Sequence, residues 1–224
     1  MGAAKGQPGA VPGFAASLGG AVLHVRLNMI TDHLMAGEWV QYIENEVRPA
    51  MESQPGSLGL SLLASSEPGV AVLESFWASH DALRASEQAA TALRSELARR
   101  AGGQVPVEEY RVGVFQREVA LRGGEAARLT RIEVTRSAVD DVIETFGDTA
   151  VPLLAEASGF YGALLFADRD SGHLISETVW RDAQARAASP STAEVIRAEV
   201  LESAHCVIRA VEDYTLVFSS VPRD

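Results

Sequence analysis

Between residues 21 and 30 the chain alternates: Val25, Leu27 and Met29 are apolar, while His24, Arg26 and Asn28 between them are polar. That period of two predicts a half-buried strand. From about 36 to 53 the apolar residues Trp39, Val40, Ile43, Val47 and Met51 return every three or four positions, giving a helix with one buried stripe. Pro49 sits late in it and is expected to kink it or begin a new turn, because proline has no N–H for the helical ladder. Pro55-Gly56 ends that helix. Ser57–Ser65 reads as a second strand, Pro68-Gly69 as a turn, and Val70–Trp77 as a third strand returning beside the second. Ser79 is placed to cap a long helix to about Arg100, Gly102-Gly103 stops it, and Val105–Gln116 supplies a fourth strand.

The order βαββαβ then repeats with Arg128–Arg136, Ala138–Ala157, Phe160–Asp168, His173–Trp180, Asp182–Ala204 and Val207–Ser220. Residues 49–115 laid on 152–218 match at 18 of 67 positions without a gap. Pro49, Gly59, Glu74, Trp77, Arg94, Glu96, Glu109 and Phe115 return as Pro152, Gly162, Glu177, Trp180, Arg197, Glu199, Glu212 and Phe218. Only the link after the first strand differs, by about two residues, which sets Arg131 in the place of Arg26 and Glu133 in that of Asn28. In the second copy Ser189-Pro190-Ser191 followed by Glu194 reads as a helix restarting with a capping box, and Ser86 marks the same break in the first.

The expected class is therefore α+β: two ferredoxin-like βαββαβ repeats from a tandem duplication, packed sheet to sheet as an intramolecular dimeric α/β barrel. Each repeat alone would bare an apolar sheet face, and the two faces cover one another. The expected organisation is a flexible Gly-, Ala- and Pro-rich tail over 1–20, a first repeat over 21–117, a linker over 118–127 and a second repeat over 128–224.

The segment from Pro55, PGSLGLSLLASSEPGVAVLESFWASHDALRAS, resembles the antibiotic biosynthesis monooxygenase (ABM) family. The matching features are Pro-Gly before the second strand, Glu-x-x-Trp ending the third, and an alanine five residues later, Ala82 and Ala185. The resemblance implies a small, flat, largely apolar aromatic or polyketide-like ligand. It also implies, for an enzyme, oxidation without metal or flavin, the ionised substrate itself donating electrons to O2. Where ABM-like proteins often carry His, nine residues after the strand Trp, stand Ser86 and Ser189. Where haem-degrading relatives place their axial His stand Glu96 and Glu199, which are no substitute for imidazole. Two readings stay open: a cofactor-independent monooxygenase, or a non-catalytic ligand-binding or assembly module with degenerate pockets. Haem binding would need an axial imidazole from His173 or His205.

Formal net charge is −11, and no basic run is present, which argues against nucleic acid and an anionic membrane surface as partners. No apolar stretch approaches a membrane span, and a single cysteine, Cys206, suits the cytoplasm. Further homodimerisation is left open. His24, His33, His80, His173 and His205 lack metal-ligand spacing, so no metal and no cofactor are expected. His24, Arg26 and Asn28 share one strand face and are the catalytic candidates, with Arg26 or Arg131 to hold an anion and Asn28, His24 or Tyr161 to orient it. Trp77, Trp180, Arg131 and Tyr161 are the ligand-binding candidates, with core packing the commoner role of such tryptophans. Glu74 and Glu177 are expected to be structural, paired across strands with Arg26 and Arg131.

Overall fold

The computed structural model describes residues 22–31, 38–65, 69–117, 119–189 and 206–222. The first half contains β1 (His24–Thr31), α1 (Glu38–Tyr42), a π-helical turn (Ile43–Val47), α2 (Arg48–Glu52), β2 (Ser57–Ser65), β3 (Val70–Trp77), α3 (His80–Ala85), α4 (Glu87–Ala101) and β4 (Val107–Arg117). The second contains β5 (Ala126–Glu133), a 3-10 turn (Arg136–Ala138), α5 (Val139–Thr145), a π-helical turn (Phe146–Ala150), α6 (Val151–Ala155), β6 (Phe160–Asp168), β7 (His173–Trp180), α7 (Ala183–Ala188) and β8 (Val207–Ser219).

Pro49 and Pro152 act as expected, each just inside a new α-helical turn. Neither has an N–H to give to the residue four back, and the chain widens into a π-turn immediately before each. The Ser79 hydroxyl caps α3 by accepting from the Ala82 N–H at 3.1 Å, and Ser86 separates α3 from α4.

All eight strands close into one antiparallel barrel in the order β1-β3-β2-β8-β5-β7-β6-β4. Each half supplies a four-stranded sheet, and the sheets join edge to edge at two seams, β2 with β8 and β4 with β6. Each described strand therefore has a neighbour on both sides. The inner face is a continuous apolar core that includes Val25, Leu27, Val72, Phe76, Leu129, Leu164, Phe166 and Ile175. The outer faces carry separate cores against the helices of each half.

The seams explain two of the recurring glycines. A Cβ at Gly162 would lie 2.5 Å from the Gln116 carbonyl oxygen, and one at Gly59 would lie 2.8 Å from the Ser220 backbone. Backbone on the opposite strand cannot rotate away as a side chain can, so only glycine lets the halves approach at these points.

Strand pairing corrects the expected correspondence of the halves. Arg26 faces Ser75 and Leu27 faces Glu74; Arg128 faces Thr178 and Leu129 faces Glu177. Arg26 thus matches Arg128, Asn28 matches Thr130, and Met29 matches Arg131. The expected matches of Arg26 with Arg131 and Asn28 with Glu133 do not hold. β5 begins at Ala126, two residues before the strand read from the sequence. In the last strand Ala64 and Ala167 face Thr215 and Arg111, which pairs Tyr110 with Tyr214 and Glu109 with Asp213 rather than Glu212.

Candidate functional site

Residues alternate faces along a strand, so Arg26 and Asn28 on β1 and Leu73 and Ser75 on β3 all point outward, under the helices of the first half. Val47 from the π-turn, Met51 from α2, and Ala90, Leu93, Arg94 and Leu97 from α4 close over them. The result is an apolar slot of about 20 Å³, room for a single water molecule, with a few polar groups in its wall.

The Arg26 guanidinium in that wall is 1% exposed, and each of its three nitrogens donates a hydrogen bond. It donates to Glu109 Oε1 at 2.8 Å, Glu87 Oε2 at 2.6 Å, the Ser86 hydroxyl at 3.0 Å and the Leu83 carbonyl at 3.1 Å. Two carboxylates neutralise it, so it serves to fasten α3 and α4 to the sheet. Asn28 Nδ2 donates to the Leu73 carbonyl at 3.2 Å. Arg94 is different. Its Nη2 donates to Glu87 at 2.8 Å and Thr91 at 2.9 Å, while its Nη1 is buried without a partner. The lining contains no aspartate, glutamate, histidine or tyrosine.

Arg26 does not approach Glu74 as a partner, and Arg131 does not pair with Glu177. Arg26 lies on the outer sheet face, whereas Glu74 opposes the inward Leu27. Arg131 opposes Ile175 and pairs with Glu108 at 2.8 Å and Glu212 at 3.2 Å, next to the Met29 sulfur. Burial works against its charge, but the Glu108 hydrogen bonds and the two carboxylates raise its pKa. It does not line the slot.

No protein-family model matches the chain. It is 27% identical over 165 residues, 74% of each chain, to an uncharacterized protein of Mycobacterium tuberculosis. Among solved structures, a putative monooxygenase from Fusobacterium nucleatum superposes with a TM-score of 0.65 at 15% identity, over 89% of this chain and 93% of that one. An anthrone oxidase-like protein superposes with a TM-score of 0.61 at 16% identity, over 90% and 93%. The fold is that of the dimeric α/β barrels. The likeness to ABM-type proteins read from the sequence holds at the level of that fold.

Within this dimeric α/β barrel the remaining candidates fall outside the slot. His24 sits at the barrel rim with its ring centroid 5.3 Å from that of His80. Burial, then the charges of His80 and Arg111, lower its pKa, with Glu109 opposing. Trp77 is fully buried and donates to the Ser75 hydroxyl at 3.1 Å; Trp180 donates to Thr178 at 3.1 Å and meets Phe160 edge-on. Both pack the core. Tyr161 is half-buried against the inner core at the start of β6. Glu96 is half-buried on α4, where hydrogen bonds from Arg99 and then Arg100 bring its pKa to about 2.

In the second half of the barrel Arg128 pairs with Asp213 at 2.9 Å, and the Thr130 and Ser176 hydroxyls, facing each other across β5 and β7, are buried without partners. The expected tail, His33, the capping box of Ser191 and Glu194, Arg197, Glu199 and His205 lie outside the described residues. Among the described residues no group of three or more His, Cys, Asp or Glu is arranged to hold a metal ion. Sequence reasoning passed over Arg94 as a site residue, although its recurrence as Arg197 was the available signal.

Proposed function

We propose that the first half binds a small, flat, largely apolar molecule with one acidic oxygen in the slot under α2 and α4. The observation that carries this reading is the buried, unpartnered Nη1 of Arg94, a residue of the slot wall, beside the apolar side chains of Val47, Met51, Leu60, Leu73, Leu93 and Leu97. An unmade hydrogen bond there is costly unless a ligand oxygen accepts it. Asn28 and Ser75 line the same slot and orient the ring. Entry requires α4 to lift, since the closed slot has room for only one water.

For chemistry, the solved structures described as a putative monooxygenase and as anthrone oxidase-like support oxidation, and the resemblance to the ABM family implies that it proceeds without a cofactor. A phenolic or enolic substrate would bind as its anion against Arg94. Electron transfer from the anion to O2 and formation of a C–O bond give a hydroperoxide, which loses water to leave a carbonyl. One O2 is consumed and one water released for each CH2 converted to C=O. The specific observation favouring the alternative, a non-catalytic binding module, is that no general base lines the slot.

We also infer that 21–117 and 128–224 are copies of one ancestral repeat joined by 118–127, with the first the better binder. Its advantage rests on Asn28, because Thr130, which carries no amide, takes that place in the second half. No helix among the described residues is long and apolar enough to cross a membrane. The single cysteine supports the cytoplasm as its compartment.

The test is oxygen uptake with anthrone-like and quinol substrates without added cofactor. Unmodified protein should consume O2. Arg94→Met should lose roughly tenfold or more in rate, the value of one charge-assisted hydrogen bond to a developing anion. An Arg131→Ala variant should retain the full rate. Absence of uptake across the panel supports the binding-module reading, and equal loss in both variants sets the chemistry elsewhere.

A further inference from the structure

The inner face of the barrel is apolar except at its middle. Glu74 on β3 and Glu177 on β7 are each 0% exposed, and none of their four carboxyl oxygens accepts a hydrogen bond from a donor group. Arg117, at the end of β4, is 1% exposed; its Nη1 donates to the Ser219 hydroxyl at 3.3 Å, while Nε and Nη2 have no partner. Two carboxylates and one guanidinium would leave a net charge of −1 sealed from water, which is prohibitively unfavourable. One proton brings the trio to neutrality.

We propose that the barrel interior is a proton-binding site, in which Glu74 of the first half and Glu177 of the second share a single proton at neutral pH and Arg117 balances the remaining charge. The protonated carboxyl of Glu74 donates to the carboxylate of Glu177, so the proton is a hydrogen-bonded tie between the two sheets.

The surroundings from all eight strands favour this state. Leu27 on β1, Leu129 on β5 and Leu164 on β6 oppose the two glutamates with apolar side chains. Ser61 on β2 opposes Glu74 from its other side and shares a hydrogen bond of 2.9 Å with Ser219 on β8. Tyr214 on β8 is a further titratable group that feels the charge of Glu74. Burial, then Glu212, push its pKa up to about 12, so it stays neutral. Glu125, just before β5, acts on Arg117 through its charge and is held by the Arg122 and Gly123 N–H groups. Tyr110 and Arg131 are engaged with Glu108 at the rim. Burial first, then the charge of Glu177, raise Glu74 well above the ordinary carboxyl range, and burial raises Glu177 against the opposing charge of Arg117.

The sign of the linkage follows. The folded protein holds a proton that the unfolded chain, with glutamates near 4.5, has released. The stabilisation is complete below pH 4.5 and is lost as pH rises through the folded-state value. In that interval the ratio of folded to unfolded protein should fall about tenfold per pH unit from this one site.

The experiment uses the full chain in infrared difference spectroscopy and in urea unfolding between pH 5 and 9. Unmodified protein should show the C=O stretch of a protonated carboxyl at neutral pH, shifted in D2O and lost at alkaline pH. In Glu74→Gln and Glu177→Gln the amide replaces the shared proton. The band should vanish, and the fall in stability with pH should be shallower than in unmodified protein. Arg117→Met removes the balancing charge and should carry the band to higher pH. If one glutamine variant fails to fold, the other and Arg117→Met still decide. No carboxyl band in unmodified protein at neutral pH, or the same pH slope in it and in a folded glutamine variant, overturns the proposal.

Discussion

Valine at position 162 should lower the unfolding free energy by about 3 kcal/mol or more, because its Cβ meets rigid backbone across the β4–β6 seam rather than a movable side chain. The Gln116 carbonyl oxygen would be 2.5 Å away and the Arg117 Cα 3.2 Å. Relief requires the strands to part, which exposes the inner core and the edges of both sheets. Gly59→Val should act similarly at the β2–β8 seam, with added strain from its φ of +113°. Gly124 is the control: its φ is +98°, but nothing lies within 4 Å of an added Cβ. Gly124→Ala should therefore cost only about 1 kcal/mol of backbone strain. Urea unfolding of the three variants separates collision from strain. A Gly162→Val midpoint equal to that of Gly124→Ala would mean that the seam yields.

Trp77→Ala should cost about 3–5 kcal/mol, as expected when a fully buried indole is removed from a packed core. The side chain sits in the outer core of the first half with Leu60, Leu73, Leu83 and Leu97, and its N–H is satisfied by Ser75. Trp77→Phe keeps most of the apolar volume and should cost about 1–2 kcal/mol, with the Ser75 hydroxyl losing its donor. Neither indole lines the slot, so ligand affinity in Trp77→Phe should match that of unmodified protein. A large loss of affinity with little loss of stability would restore Trp77 as a stacking platform.

The strand alternation in 24–29 puts Arg26 and Asn28 on one face, which the structure turns toward the helices, and the two prolines mark where the helices change winding. What failed was register. A slip of one residue between neighbouring strands moves a side chain to the opposite face, and a pairing of Arg26 with Glu74 needs that slip. The segment Val70–Trp77 itself held the answer: Glu74 shares its face with Val72 and Phe76, both in the barrel interior, while Ser75 and Trp77 point the other way. The ungapped repeat over 49–115 leaves out the first strand, where the partner of Arg26 is Arg128, three residues before the expected Arg131, and it hid a one-residue displacement in the last strand. Arg94 was visible only as a recurring letter; that one of its N–H groups lacks a partner depends on α4 packing over β1 and β3, which no local pattern specifies.

The central claim, that the first-half slot is the ligand site, is tested most directly by methyl NMR of protein labelled at methionine. Of the 4 methionines, Met51 lines the slot, and Met29 lies by Arg131 at the barrel rim. Titration with a dihydroxyanthraquinone, planar, acidic and already oxidised, should shift the Met51 methyl saturably and leave Met29 in place. In Arg94→Gln the shift should need roughly tenfold more ligand, the loss of one charged hydrogen bond. A Met51 signal that stays fixed while Met29 moves, or a titration unaffected by Arg94→Gln, would contradict the account.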